Sequence, residues 1–211
     1  MVKKILVSFM IPLLCACAGA APAKPTDTPL PPPTSAPSEP SMQTPSKSAE
    51  ISDDEQAVYS VFFAENPDTT LLLQDAASDS SMTSSQKVMD FIKSGLPAVS
   101  DETINDYLMN NKQDSQLPAK MNVGVEYQLL SADEFAEISS QPDWGNLLKE
   151  KYPGSDGYMF FSRVGFNNAL DQALIYVGRV YGPLAGDASY YLLEKKDARW
   201  MIVNQIVRVI S

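Results

Sequence analysis

Acid–base chemistry in proteins leans first on histidine, and this chain has none in 211 residues. Its only cysteines are Cys15 and Cys17. Without imidazole there is no Ser-His-Asp or Cys-His nucleophile and no usual zinc site. No Walker loop, no helix-opening GxGxxG and no EF-hand spacing occurs either. Carboxylates remain, 26 Asp plus Glu against 16 Lys plus Arg. Paired acids can run glycoside hydrolysis, but the sequence sets no pair apart in an apolar surround. An enzyme made from this chain would rest on carboxylate, Lys, Tyr or Ser. The reading assigns no catalytic residue, no metal site and no cofactor.

Recognition chemistry is better represented. Arg163 and Arg179 fall inside strand-like runs, "FFSRVGF" and "YVGRV". An arginine held on a sheet can take a ligand carboxylate bidentately. The competing use is a solvated position or an internal acid such as Asp171 or Glu194. Tyr176, Tyr181, Tyr190 and Tyr191 offer aromatic bodies with polar tips, suited to a sugar or a peptide. Core packing competes for at least two of them. These six residues are the candidate ligand-binding set. "GPLAGD", Gly182 to Asp187, is glycine-rich but lies between strands, so it reads as a hairpin loop rather than a phosphate cradle. "SDSSMTSS", Ser78 to Ser85, reads as a polar loop.

The two cysteines belong to a different device. "MVKK" precedes Ile5 to Leu14, which is apolar apart from Ser8. A charged start, a short apolar core and small residues form the pattern of a secretory signal peptide. The apolar run of about ten residues is short of the roughly 20 that a spanning helix needs. "LCAC", Leu14 to Cys17, resembles the lipobox of bacterial lipoproteins. Cys17 fits as the lipidated residue. Cys15 would place Leu14 and Pro12 at the two recognition positions, and an ordinary cleaved signal is the further alternative. The resemblance implies cleavage before Cys17 and two or three acyl chains on it, enough to anchor stably. The expected location is extracytoplasmic, lipid-anchored to the cell membrane, or to the outer membrane or surface of a diderm host. The folded part then holds no disulfide and no thiol.

Residues 18–50 hold nine of the 16 prolines and no aromatic residue. Such a segment cannot bury enough apolar surface to offset its ordering entropy. Pro31 to Pro33 favour extended polyproline II, and at about 3.1 Å per residue the segment reaches roughly 100 Å. A spacer is the reading; a proline-rich ligand is the alternative. The organisation expected is a signal peptide over 1–16, lipidated Cys17 with a spacer over 17–50, and one domain over 51–211. That length supports a core without disulfides. The first 50 residues hold four basic and three acidic side chains, leaving 12 Lys plus Arg against 23 Asp plus Glu, net −11. Such charge repels phosphate backbones, so nucleic acid is excluded as a partner.

Within the domain, helices come first. "SDDEQAVYSVFFAEN" opens with a capping box, Ser52 and Glu55, and Pro67 should stop it. Thr69 to Asp75 is apolar enough for a short buried strand. "SSQKVMDFIKSG" and "SDETINDYLMNNK" have helical stripes, the latter capped by Ser100. "NVGVEYQLL" alternates as a strand. Ser131 and Glu134 repeat the capping box, and "PDWGNLLKEKYPG" adds a short helix. After Gly157, "YMFFSRVGF", "QALIYVGRV", "SYYLLEK" and "ARWMIVNQIVRVI" are strand-like runs joined by short polar links. Such runs pair with their neighbours. The expected class is α+β, with N-terminal helices packed on a C-terminal antiparallel meander of about four to five strands. Trp200, Ile202, Ile206 and Tyr176 are candidates for its buried face.

"GYMFFSRVGFN", "QALIYVG" and "YYLLEKKDARWMIV" are similar to the C-terminal half of an uncharacterised family of bacterial secreted and lipoprotein domains. Stretches like "SDETINDYLMNNKQDS" precede them there. The resemblance covers most of residues 52–211 and implies no activity. Ala198 stands where the last hairpin turn should carry Gly, which implies local backbone strain. A looser likeness is to the cystatin or NTF2-like class, implying a pocket between helix and sheet. The expectation is a non-catalytic binding or accessory domain, its ligand an unknown protein, peptide or glycan, held at the membrane by Cys17. The first alternative is an envelope-assembly or structural interaction module; the second is a carboxylate-based hydrolase. A deep pocket with converging Arg and Tyr favours the first reading. An open strand edge favours the interaction module, and two acids across a cleft the hydrolase.

Overall fold

The computed structural model describes residues 50–63, 71–79, 84–182 and 184–210, all within one compact unit, residues 43–211. The signal segment, Cys15, Cys17 and nearly all of the proline-rich spacer lie outside the described residues, as do Pro67, Ser80 to Thr83 and Pro183.

The chain alternates between helix and strand. Helix α1 (Asp53–Phe63) is followed by strands β1 (Leu71–Gln74) and β2 (Ala76–Ala77), then helices α2 (Ser85–Gly95) and α3 (Asp101–Asn110). Next come β3 (Ser115–Gln116), β4 (Tyr127–Leu130), α4 (Ala132–Ser139) and α5 (Trp144–Lys151). Strands β5 (Tyr158–Phe161), β6 (Gly165–Phe166), β7 (Gln172–Gly182), β8 (Ala185–Lys196) and β9 (Arg199–Ile210) complete it. The helix starts follow their caps. Ser52 Oγ accepts from the Glu55 amide at 3.1 Å, Ser100 Oγ from Thr103 at 3.1 Å and Ser131 Oγ from Glu134 at 3.2 Å. Each satisfies one of the orphan amides of a first turn.

The α+β class is as expected, and β5, β7, β8 and β9 pair antiparallel in that order. The sheet is larger than expected and mixed. Its order is β4-β1-β5-β7-β8-β9, with β6 also paired to β7, seven strands in all. β1 runs parallel to both β4 and β5. Those early strands lie between helices in the chain, so the helices are not gathered at the N-terminal end of the domain. A separate antiparallel pair joins β2 to β3.

The expectation of one buried sheet face is also corrected, because both faces are covered. Successive side chains of a strand point to opposite faces. On β7, Ala173, Ile175 and Val177 pack with Val58, Tyr59, Phe62 and Phe63 of α1. The alternate residues, Leu174 and Tyr176, pack with Val88 and Ile92 of α2 and Ile104 and Tyr107 of α3. Leu72, Leu130 and Tyr158 meet Ile138 of α4 and Leu148 of α5. Trp200 and Tyr176, expected on one face, are both buried but belong to opposite ones. Ile206 joins the α2 side, and Ile202 remains 36% exposed. Helix α3 sits very close to β6: a Cβ on Gly165 would lie 2.4 Å from the Tyr107 backbone nitrogen, so only glycine fits there.

Candidate functional site

Arg163 follows β5, and its guanidinium is committed to Glu55 of α1. Nε donates to Glu55 Oε1 at 2.7 Å and an NH2 nitrogen to Oε2 at 2.8 Å, a bidentate pair. Glu55 Oε1 also accepts from the Tyr59 hydroxyl at 2.9 Å and from the Val164 amide at 3.0 Å. The Glu55 side chain is 4% exposed and that of Arg163 15%. The carboxylate that the sequence placed in a capping box is therefore the buried anchor between α1 and the β5–β6 turn. Hydrogen bonding to Glu55 raises the Arg163 pKa further above its ordinary value. Burial first, then the charge of Glu55, holds the Tyr59 phenol well above its usual range. Neither Asp171 nor Glu194 is the partner of Arg163. Asp171 Oδ1 instead accepts from Asn167 Nδ2 at 2.6 Å, and Glu194 pairs with Lys196.

The other candidate residues do not converge on one surface. Arg179 on β7 lies opposite Asp187 on β8 and Met159 on β5. It shares the α1 face with Tyr191, which is half-buried and meets the Phe62 ring edge-on at 4.9 Å. Tyr176 and Tyr190 lie on the opposite face, buried, with ring centroids 4.8 Å apart. Tyr190 and Tyr107 both donate their hydroxyls to Asp79 Oδ2 at 2.7 Å. Asp79 is buried, so this is an internal polar node between α3 and the sheet. Desolvation, then the Asp79 charge, pushes the Tyr107 phenol well above its usual range. Only Tyr181, 49% exposed, is displayed to solvent.

Among the depressions of the described surface are three shallow ones. One, about 540 Å³, lies between α1 and the β8–β9 turn, lined by Gln56, Ser60, Asn122, Ala198, Arg199 and Trp200. Two more, about 340 and 380 Å³, share Asp75, Gln116 and Ser131 beyond the ends of the parallel strands β1 and β4. Acids line these, among them Asp133 and Glu134. Glu134 pairs with Lys151 at 2.5 Å, and hydrogen bonds from Lys151 and Tyr152 hold its carboxyl below the usual range. A hydrolytic general acid needs the opposite shift. Among the described residues, no group of three or more His, Cys, Asp or Glu could hold a metal ion.

The most unusual surface is a sheet edge. β4 closes one edge with four residues; β9 closes the other with twelve. Unpaired outer N–H and C=O groups make an edge a template for another strand. Proteins blunt such edges with short strands, proline, bulges or charge. Between Arg199 and Arg208, β9 has no charge, proline or glycine. Met201 is 53% exposed, Val207 48%, Val209 47% and Ile210 77%. Its blunting devices are two register shifts against β8 and an arginine towards each end. The sequence run was legible as a strand, but its mostly apolar character, broken only by Asn204 and Gln205 between the two arginines, signals an interior strand, not an edge. Nothing in the composition says that its outer neighbour is missing.

Compared with protein families, curated proteins and solved structures, the chain matches none.

Proposed function

We propose that this chain is a bacterial lipoprotein, anchored outside the cytoplasm through acyl chains on Cys17. Its domain is a non-catalytic protein-interaction module, and its binding element is the β9 edge. One observation carries the second half: a twelve-residue edge strand with exposed apolar side chains and no central charge. That arrangement suits strand addition, in which main-chain hydrogen bonds supply affinity. It favours polypeptide recognition over capture of a small sugar by tyrosines, since Tyr176 and Tyr190 are buried. A cystatin- or NTF2-like pocket is not part of the proposal, because α1 packs directly on the sheet, with Tyr59 and Phe161 ring centroids 5.0 Å apart. The charged start, the short apolar run and the lipobox-like "LCAC" support export and tethering.

Two measurements test the reading. In the native host, a clickable fatty acid should label the wild type and Cys15→Ser but not Cys17→Ser; labelled Cys17→Ser protein would refute the anchor. A photoreactive residue at Val203 on β9 should give discrete protein adducts, whereas the same residue at Glu137 on α4 should not. Equal adducts from both positions would mean that β9 is not the binding element.

A further inference from the structure

We infer that the strand received by β9 is acidic: an extended segment of another protein, apolar on alternate positions, with carboxylates opposite Arg199 and Arg208. This rests on the proposal that β9 binds by strand addition, and it names the partner's chemistry. The carrying observation is a charge imbalance on the edge. β9 holds Arg199 and Arg208 and no acid, on a chain of net charge −10. Arg163 is bound to Glu55. Among the described residues, neither Arg199 nor Arg208 has a carboxylate within ion-pair distance. Arg208 lies over the Phe91 ring, 4.9 Å from its centroid, which orients the guanidinium while leaving its charge uncompensated. Arg199 lines the 540 Å³ groove beside α1, which also holds Asp53 but not within ion-pair distance, so one end of an added strand has a recess to enter.

Both unpaired arginines bracket an uncharged stretch of the edge, Trp200 to Val207, that is apolar except for Asn204 and Gln205. With two bulges between them, their separation along the sheet is roughly 25 Å at about 3.3 Å per regular residue. Two bulges shorten β9 relative to a regular neighbour: on β8, Lys196 faces Arg199, and Ala188 and Ser189 flank the level of Arg208, so the matching carboxylates fall about seven or eight residues apart. A second copy of this chain is a poor occupant by the same chemistry. Its β9 brings two more arginines and no carboxylate to face these two. The bare edge and its charge thus select a partner unlike the chain itself.

Two synthetic strand peptides test this on the full chain. Both alternate valine and threonine, one ending in glutamate at each end and the other in lysine, with end charges about seven or eight residues apart. Binding is followed by amide exchange along β9. The glutamate peptide should bind about tenfold more tightly at low salt, and the difference should narrow to about twofold at about 0.5 M salt. Arg199→Gln with Arg208→Gln should equalise the two peptides while retaining protection of β9 amides. Equal affinity for the wild type would overturn the acidic partner and leave strand addition standing. Failure of both peptides to protect β9 would overturn strand addition itself. Outer β9 amides already protected in a dimer, shown by sedimentation, would give the edge to a second copy and overturn the proposal.

Discussion

At the scale of single residues, chemistry and burial are coupled through Glu55. Its carboxylate accepts from Arg163, Tyr59 and Val164 while nearly excluded from water. Such a pair adds little net stability over an apolar replacement, yet removing one partner strands the other in the interior. Glu55→Ala should therefore destabilise the domain by about 3–5 kcal/mol, measured by denaturant unfolding. A loss below about 1 kcal/mol would show that Arg163 finds water or another acid. The capping signature at Ser52 located the helix start correctly, and Ser52 does cap it. It did not reveal the role of Glu55, because Arg163 and Val164 lie 108 and 109 positions away; only Tyr59 is local, four residues on. The same limit hid the Asp79 node, where Tyr190 is 111 positions distant.

At the scale of elements, the β8–β9 hairpin shows what local sequence can and cannot specify. Lys196 pairs with Arg199, leaving Asp197 and Ala198 as the turn, with φ of 49° and 61°. A two-residue turn of this hand wants φ above zero at both positions and is best served by Asn-Gly or Asp-Gly. Alanine there is strained, as its position where glycine was expected had implied. Ala198→Gly should stabilise by about 0.5–1 kcal/mol, the relieved strain exceeding the added entropy of the unfolded chain. An unchanged or lowered melting temperature would contradict that balance. The late strands were legible because their β-branched and aromatic runs are long and their links short. The parallel pairing of β1 with β4 was not, since Leu71–Gln74 is four residues long and pairing across intervening helices leaves no local mark.

At the scale of the whole molecule, titration should be quiet where most proteins switch. There is no histidine, so no side chain with an ordinary pKa changes charge between about pH 6 and 8. Tyrosines dominate the alkaline side. Tyr59 and Tyr107 are held well above their ordinary 10.0, and Tyr152 is pushed to about 12 by burial and then by Glu134. Each keeps its proton when folded and loses it near 10.0 when unfolded, so the folded state binds more protons above that pH. Stability is thus fully present below pH 10 and falls as pH rises above it. Thermal unfolding should give a flat profile from about pH 6 to 9 and a steep decline above about 10. A step near neutrality would contradict it.

The central claim, that β9 is an open template for an added strand, has a residue-resolved readout in amide hydrogen exchange of the dilute full chain. Inner amides of β9 are bonded to β8 and should exchange slowly, while the outward ones exchange at loop-like rates, giving alternating protection along Arg199–Ile210. Adding the glutamate-ended strand peptide should protect the outward set and leave the exposed face of α4 unchanged. Outward β9 amides that are protected in the free monomer, or that no strand peptide slows, would contradict the account.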